Sequence, residues 1–158
     1  MRRLYLDYDG VLADFDTGFF NFTGVKSAEY EDLHGSKDFW NVIRSHKSFF
    51  EHLPLMPDAL ELFDAVKHER PIILTGVPFG GWAAPQKYKH RDKHFSGVPV
   101  VTCPSKDKCL FCQPGDILVD DVEKYQHLWE AAGGIFILHT SAKNSIIKLR
   151  ELGIVRSM

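Results

Sequence analysis

Five short apolar runs, each closed by turn residues or polar side chains, set the architecture open to this chain. They lie at Leu4–Leu6, Pro71–Leu74, Val98–Val101, Ile117–Val119 and Ile135–Leu138. Each is short and apolar enough to be a strand buried on both faces, which is how the strands of a parallel sheet read. Helix-like segments fall between them. Residues Pro57 to His68 put Leu60, Phe63 and Val66 on one stripe, with a proline near the first turn. Val122 to Ala132 stops at Gly133 and Gly134, and Ser141 to Leu152 opens on a serine cap and stops at Gly153. Strands alternating with helices predict an α/β fold, a Rossmann-like parallel sheet with helices on both faces.

One interval breaks the alternation. About forty residues, Asp16 to Leu55, separate the first strand from the helix that leads to the second, far more than a loop in such a fold needs. The interval carries Phe19, Phe20, Phe22, Tyr30, Phe39, Trp40, Phe49 and Phe50, enough apolar area for a mini-core of its own. The expected organisation is therefore a core of residues 1–15 and 56–158, with 16–55 as a small helical cap. A chain of 158 residues at 44% hydrophobic content buries a core without disulfides. Its three cysteines, an odd number, fit free thiols in a reducing compartment. With no long apolar run and no signal-peptide core after Arg2 and Arg3, the expectation is a soluble, cytoplasmic protein without a membrane partner. A net charge of −2 gives no basic field for a nucleic-acid polymer.

The polar residues collect where the strands end. The first run leads into Asp7, Tyr8, Asp9 and Gly10; the second into Thr75 and Gly76; the third is followed by Lys106 and Lys108; the fourth by Asp120 and Asp121. In an open parallel sheet the carboxyl ends of the strands form the ligand crevice, so these groups converge. Asp7 and Asp9, two apart on an extended segment, point the same way. With Asp120 and Asp121 they make up to four carboxylates in one crevice, whose repulsion calls for a cation. Hard oxygen ligands suit Mg²⁺. The bland alternative, exposed loop acids and helix caps, does not account for their gathering at one sheet edge.

Asp7-Tyr8-Asp9-Gly10-Val11-Leu12-Ala13-Asp14-Phe15 resembles the first motif of the haloacid-dehalogenase-like phosphatases. Leu74-Thr75-Gly76 is similar to their second motif, a following lysine to their third, and Ile117-Leu118-Val119-Asp120-Asp121 to their fourth. Within that superfamily the segment through Phe15, the insert after it, and Trp129 to His139 are most similar to the 5'(3')-deoxyribonucleotidases and their bacterial relatives. The resemblance implies a phosphomonoester hydrolase in which Asp7 attacks phosphorus and Asp9 protonates the leaving alcohol, then deprotonates water. It places Mg²⁺ on Asp7, the backbone carbonyl of Asp9, and Asp120 with Asp121. It also gives Thr75 a hydrogen bond to a phosphoryl oxygen. Residues 106 and 108 both offer a lysine. Similarity to the deoxyribonucleotidase Asp-Lys pair selects Lys108 for catalysis and leaves Lys106 as a neighbouring phosphate contact.

The same resemblance sets Phe15, Phe39 and Trp40 against a nucleobase, which aromatic rings stack well; packing the insert is the alternative. Gly76, a substrate-side residue, stands where that branch carries serine, and the chain is shorter than its typical members. The implied partner is a small phosphorylated substrate, with a nucleoside monophosphate as one candidate and a non-nucleotide phosphate as another. Carbon–halogen hydrolysis on this scaffold needs neither Asp9 nor a magnesium cluster, and a non-catalytic binding protein needs none of the set. His90 and His94, with Cys103, Cys109 and Cys112, contain an H-x₃-H and a C-x₂-C, a weak zinc signal against buried free thiols. The run Lys87 to Lys93 reads as a basic, solvated helix face.

Overall fold

The computed structural model describes residues 2–156. All five apolar runs are strands: β1 Leu4–Leu6, β2 Ile72–Gly76, β3 Val100–Cys103, β4 Ile117–Asp120 and β5 Ile135–Leu138. They pair in parallel in the order β3-β2-β1-β4-β5. β1 is central, with Leu6 opposite Ile73 on one side and Val119 on the other. The chain builds outward from β1 through β2 to β3, then crosses back to β4 and β5. That reversal leaves a crevice at the carboxyl ends of the strands beside β1.

The helices are α1 Phe15–Thr23, α2 Ser27–Ser45, α3 Ala59–Val66, α4 Ala83–His94, α5 Gln126–Ala131 and α6 Ala142–Glu151, with 3₁₀ turns at Lys67–Glu69 and Ser105–Phe111. None among the described residues is long and apolar enough to cross a membrane. Strand alternation sorts the core into two faces. Leu4, Leu6, Ile73, Ile117 and Val119 pack with residues of α3, α6 and the insert. Tyr5, Leu74 and Leu118 meet Cys103, Cys112 and Trp129 on the other face. Local signals set several boundaries. Asp14 caps α1 by accepting from Thr17 N at 3.1 Å, and Ser141 caps α6 by accepting from Asn144 N at 3.1 Å. Asp58 does not cap its own helix; its carboxylate accepts from Ala142 N at 2.7 Å and ties α3 to α6.

Three expectations differ from the structure. The buried face of α3 is Ala59, Leu62 and Val66, one residue round from the expected stripe, and Leu60 is exposed. The helix expected from Val122 begins only at Gln126, because Asp120 Oδ1 accepts from Val122 N at 3.0 Å and holds the preceding residues in a turn over the crevice. The insert also lacks a core of its own. Phe19, Phe39, Ile43, Phe49 and Phe50 belong to one contiguous apolar cluster with Leu4 and Leu6. The insert contains α1 and α2, the latter broken at Gly35, and its two ends run side by side. Asp14 N donates to Pro54 O at 2.7 Å and Met56 N to Leu12 O at 2.8 Å. This pairing returns the chain beside its point of departure and seats the insert over the end of β1.

Candidate active site

Asp7 follows directly on β1, and its N–H still donates to Val119 O at 2.9 Å, which carries the ladder past the strand and aims the side chain into the crevice. A cleft of about 640 Å³ opens there, walled on the sheet side by Asp7, Asp9, Gly76, Ser105, Lys106, Lys108, Asp120 and Asp121, and on the insert side by Phe15, Phe39 and Trp40. Gly10 is required by this geometry. It sits at φ 85°, and a Cβ there would lie 2.0 Å from Asp121 Oδ2. Gly76 is required for a different reason: a Cβ would lie 1.9 Å from Ser105 Oγ and 3.2 Å from the Ser105 Cα. The Ser105 hydroxyl thus occupies the space that a side chain at position 76 would take.

Lys108 is buried, and its Nζ donates to Asp7 Oδ1 and to Asp120 Oδ2, each at 2.9 Å. Lys106 is exposed on the cleft wall. Only Lys108 of the two reaches the carboxylates, because the 3₁₀ turn places residues two apart on different sides. Oxygens of Asp7, Asp120 and Asp121 lie within 4.8 Å of one another. Burial raises the Asp7 carboxyl well above the usual carboxylate range; Lys108 opposes the rise, while Asp120 and Asp121 add to it. Partial burial, again with Asp120 beside it, pushes Asp121 up to about 6 although Asp7 hydrogen-bonds to it. For Lys108 burial works downward, but the attraction of Asp7 and Asp120 outweighs it and the ammonium is held charged. When ionised, three carboxylates against one ammonium leave two negative charges. Protons or a divalent cation must offset them, and the all-oxygen donor set fits Mg²⁺.

Asp9 is placed differently. Its side chain is outside that cluster and accepts, at Oδ2, from Lys87 Nζ at 2.7 Å. Lys87 corrects the reading of a solvated basic face: it is 2% exposed. Its Nζ also donates to Thr75 Oγ1 at 2.7 Å and to Gly76 O at 3.1 Å. Thr75, expected at the phosphate, is fully buried and turned to Lys87 rather than open to the cleft. The signal that finds Lys87 is spacing. Ala83, Gln86, Lys87 and His90 are the buried residues of α4, one stripe at i, i+3, i+4 and i+7. That stripe is largely polar, so a search for apolar periodicity passes over it.

The other groups singled out in the sequence are dispersed. Phe39 is 5% exposed and ringed by Phe15, Phe19, Tyr30 and Trp40, so it chiefly packs the core while still lining the cleft. Phe15 and Trp40 are half-buried at the cleft. His90 does not join the cysteines. Its Nε2 donates to Leu53 O at 2.9 Å, which leaves Nδ1 to accept from the Tyr8 hydroxyl. Cys103, Cys109 and Cys112 carry free thiols.

Neither protein-family models nor curated protein sequences match this chain. Solved structures do resemble it. A HAD family hydrolase from Deinococcus radiodurans R1, solved with bound phosphate and sodium, superposes at a TM-score of 0.57 with 14% identity, over 100% of this chain and 99% of that one. A HAD-superfamily hydrolase from Ehrlichia chaffeensis gives 0.57 and 15%, over 96% and 98%. The L-2-haloacid dehalogenase of Xanthobacter autotrophicus, with chloropropionic acid covalently bound, gives 0.55 and 13%, over 98% and 84%. The protein therefore has the haloacid-dehalogenase-like α/β fold. At these identities the likeness extends to the fold and no further.

Proposed function

We infer that this chain is a phosphomonoester hydrolase that works through an aspartyl-phosphate on Asp7, with Mg²⁺ as its metal and a nucleoside monophosphate as its substrate class. The observation that carries the reading is the unequal setting of two carboxylates on one cleft. Asp7 is buried among Asp120, Asp121 and Lys108, while Asp9 stands apart against Lys87 with part of its side chain exposed. Two carboxyl groups in such different surroundings are suited to two roles, nucleophile and proton carrier. A dehalogenase has no use for the second.

In the first step an Asp7 oxygen bonds to phosphorus and the ester P–O bond breaks, with Asp9 giving a proton to the departing alkoxide. In the second, a water oxygen bonds to phosphorus, Asp9 takes its proton, and the Asp7 P–O bond breaks to release inorganic phosphate. Lys108, already against Asp7, holds positive charge where the phosphoryl oxygens gather. Ser105 and Lys106 offer donors on the same wall. Bound by Asp7, Asp120, Asp121 and the Asp9 backbone carbonyl, Mg²⁺ would lower the repulsion between carboxylate and phosphate and stabilise charge in the transition state. The half-buried rings of Phe15 and Trp40 at the cleft favour a substrate with a flat, stackable group, which supports the nucleotide reading and the resemblance to the deoxyribonucleotidase-like branch.

The test is phosphate release, with Mg²⁺, from a panel of nucleoside monophosphates, sugar phosphates and p-nitrophenyl phosphate. Asp7→Asn should keep the fold and lose turnover on every active substrate. Near wild-type rates from Asp7→Asn would end the covalent mechanism.

A further inference from the structure

We propose that Lys87 is a positioning residue that sets the Asp9 carboxylate for proton transfer; this rests on the proton-carrier role given to Asp9 above. An ammonium has three N–H donors and no acceptor. In Lys87 all three are spent, on Asp9 Oδ2, Thr75 Oγ1 and Gly76 O. No donor remains for a substrate oxygen, and the side chain does not line the cleft. Lys87 therefore acts through Asp9 and not on the phosphate. One Asp9 oxygen is pinned, while Oδ1 accepts no hydrogen bond from a described residue and is left for a leaving group or water.

The lysine is itself held firmly. Its Nζ lies 4.7 Å from the centre of the Phe50 ring, which covers it from the insert side. Gln86 Oε1, its neighbour on α4, accepts from Phe50 N at 2.8 Å. One turn on, His90 bonds Leu53 O and Tyr8, the residue between Asp7 and Asp9. The polar stripe of α4 thus fastens both the return segment of the insert and the loop carrying the two aspartates, with Lys87 between them. A buried ion pair contributes little net stability against a well-packed apolar replacement. Its position behind Asp9 is better explained by the orientation it imposes, since proton transfer depends on geometry before anything else.

Leaving-group dependence reads this role directly. An alkoxide needs a proton as it departs, whereas p-nitrophenolate leaves without one. General acid catalysis contributes about 10²–10⁴-fold, so Lys87→Met should lower kcat/KM for an alkyl phosphate at least about tenfold more than for p-nitrophenyl phosphate. Adding Lys87→Met to Asp9→Asn should cost little further, because both act on one transfer. Lys87→Arg keeps the charge in a differently shaped donor. It should show the same preference for the better leaving group in smaller degree, and it decides the matter if Lys87→Met does not fold. Equal losses on both substrates, or losses that add to those of Asp9→Asn, would assign Lys87 to structure alone and overturn the proposal. If Asp9→Asn itself shows no leaving-group preference, the acid role of Asp9 fails, an outcome distinct from failure at Lys87.

Discussion

Trp40 and Phe39 are adjacent in sequence yet placed so differently that replacing each should produce opposite signatures. Phe39 is 5% exposed and touches four other rings. Phe39→Ala opens a cavity in the shared core, which costs about 3–5 kcal/mol; at about 2–4 °C per kcal/mol for a chain of this size, Tm should fall by about 6–20 °C. All substrates should then suffer alike. Trp40 meets Phe39 edge-on at 5.2 Å and Phe15 at 6.3 Å, contacts worth about 1–3 kcal/mol together. Trp40 is half-buried and also lines the cleft. If a base stacks there, Trp40→Ala should remove about 1–3 kcal/mol of stacking, which is about a 5- to 150-fold loss. That loss should fall on nucleotides and spare a phosphate with no base. The assay is kcat/KM for a nucleoside monophosphate relative to p-nitrophenyl phosphate, in both variants and wild type, with Tm recorded alongside. An unchanged ratio in Trp40→Ala would refute the stacking and leave a non-nucleotide phosphate as the substrate class.

Three further outcomes follow from the site. Gly10→Ala forces a Cβ into Asp121 at a positive φ, so it should cost about 1–2 kcal/mol of stability from the backbone and raise the Mg²⁺ concentration needed for half-maximal turnover; a magnesium titration of the variant checks this. Activity should vanish with a strong chelator, return with Mg²⁺ and be inhibited by Ca²⁺, which prefers more ligands and a looser geometry; full turnover in metal-free buffer would contradict the role of the acidic cluster. Burial lowers the His90 pKa to about 4, with His94 and Lys93 acting in the same sense against the Leu53 carbonyl and Asp9. The folded state then holds His90 neutral while the unfolded chain protonates it near 6.5, so this contribution is intact above pH 6.5 and is lost as pH falls towards 4. Burial lowers His139 too, and it acts in the same direction. The raised carboxyls of Asp7 and Asp121 work in the opposite direction over the same window, so the check is a comparison of melts from pH 7 to 4 for wild type and His90→Gln, in which the wild type's Tm should lose ground to the variant's as pH falls.

Local pattern was enough to read the five strands, because apolar runs bounded by turn residues report burial on both faces wherever the partner strands come from. The gathering of Asp7, Asp9, Lys108, Asp120 and Asp121 follows from the same reading, since a parallel sheet delivers every strand's carboxyl end to one edge. Spacing alone did not separate Lys106 from Lys108: both sit on one short turn, and only its packing against β2 and α5 brings one ammonium to Asp7 and Asp120. Lys87 was hidden for a deeper reason. A charged residue on a helix reads as solvated because an unpaired buried charge is prohibitively costly, and the partners that remove the cost, Asp9, Thr75 and the Gly76 carbonyl, come from β2 and the loop after β1. Likewise Phe39 and Trp40 differ by one position in a helix, yet how deeply each is buried at the cleft depends on how the insert folds back through Leu53 to Met56 onto the core. The sequence by itself determined the sheet and the carboxylates at its edge. The tertiary structure decided which cations stand against them, because that pairing is a long-range match of charge and space that no local periodicity encodes.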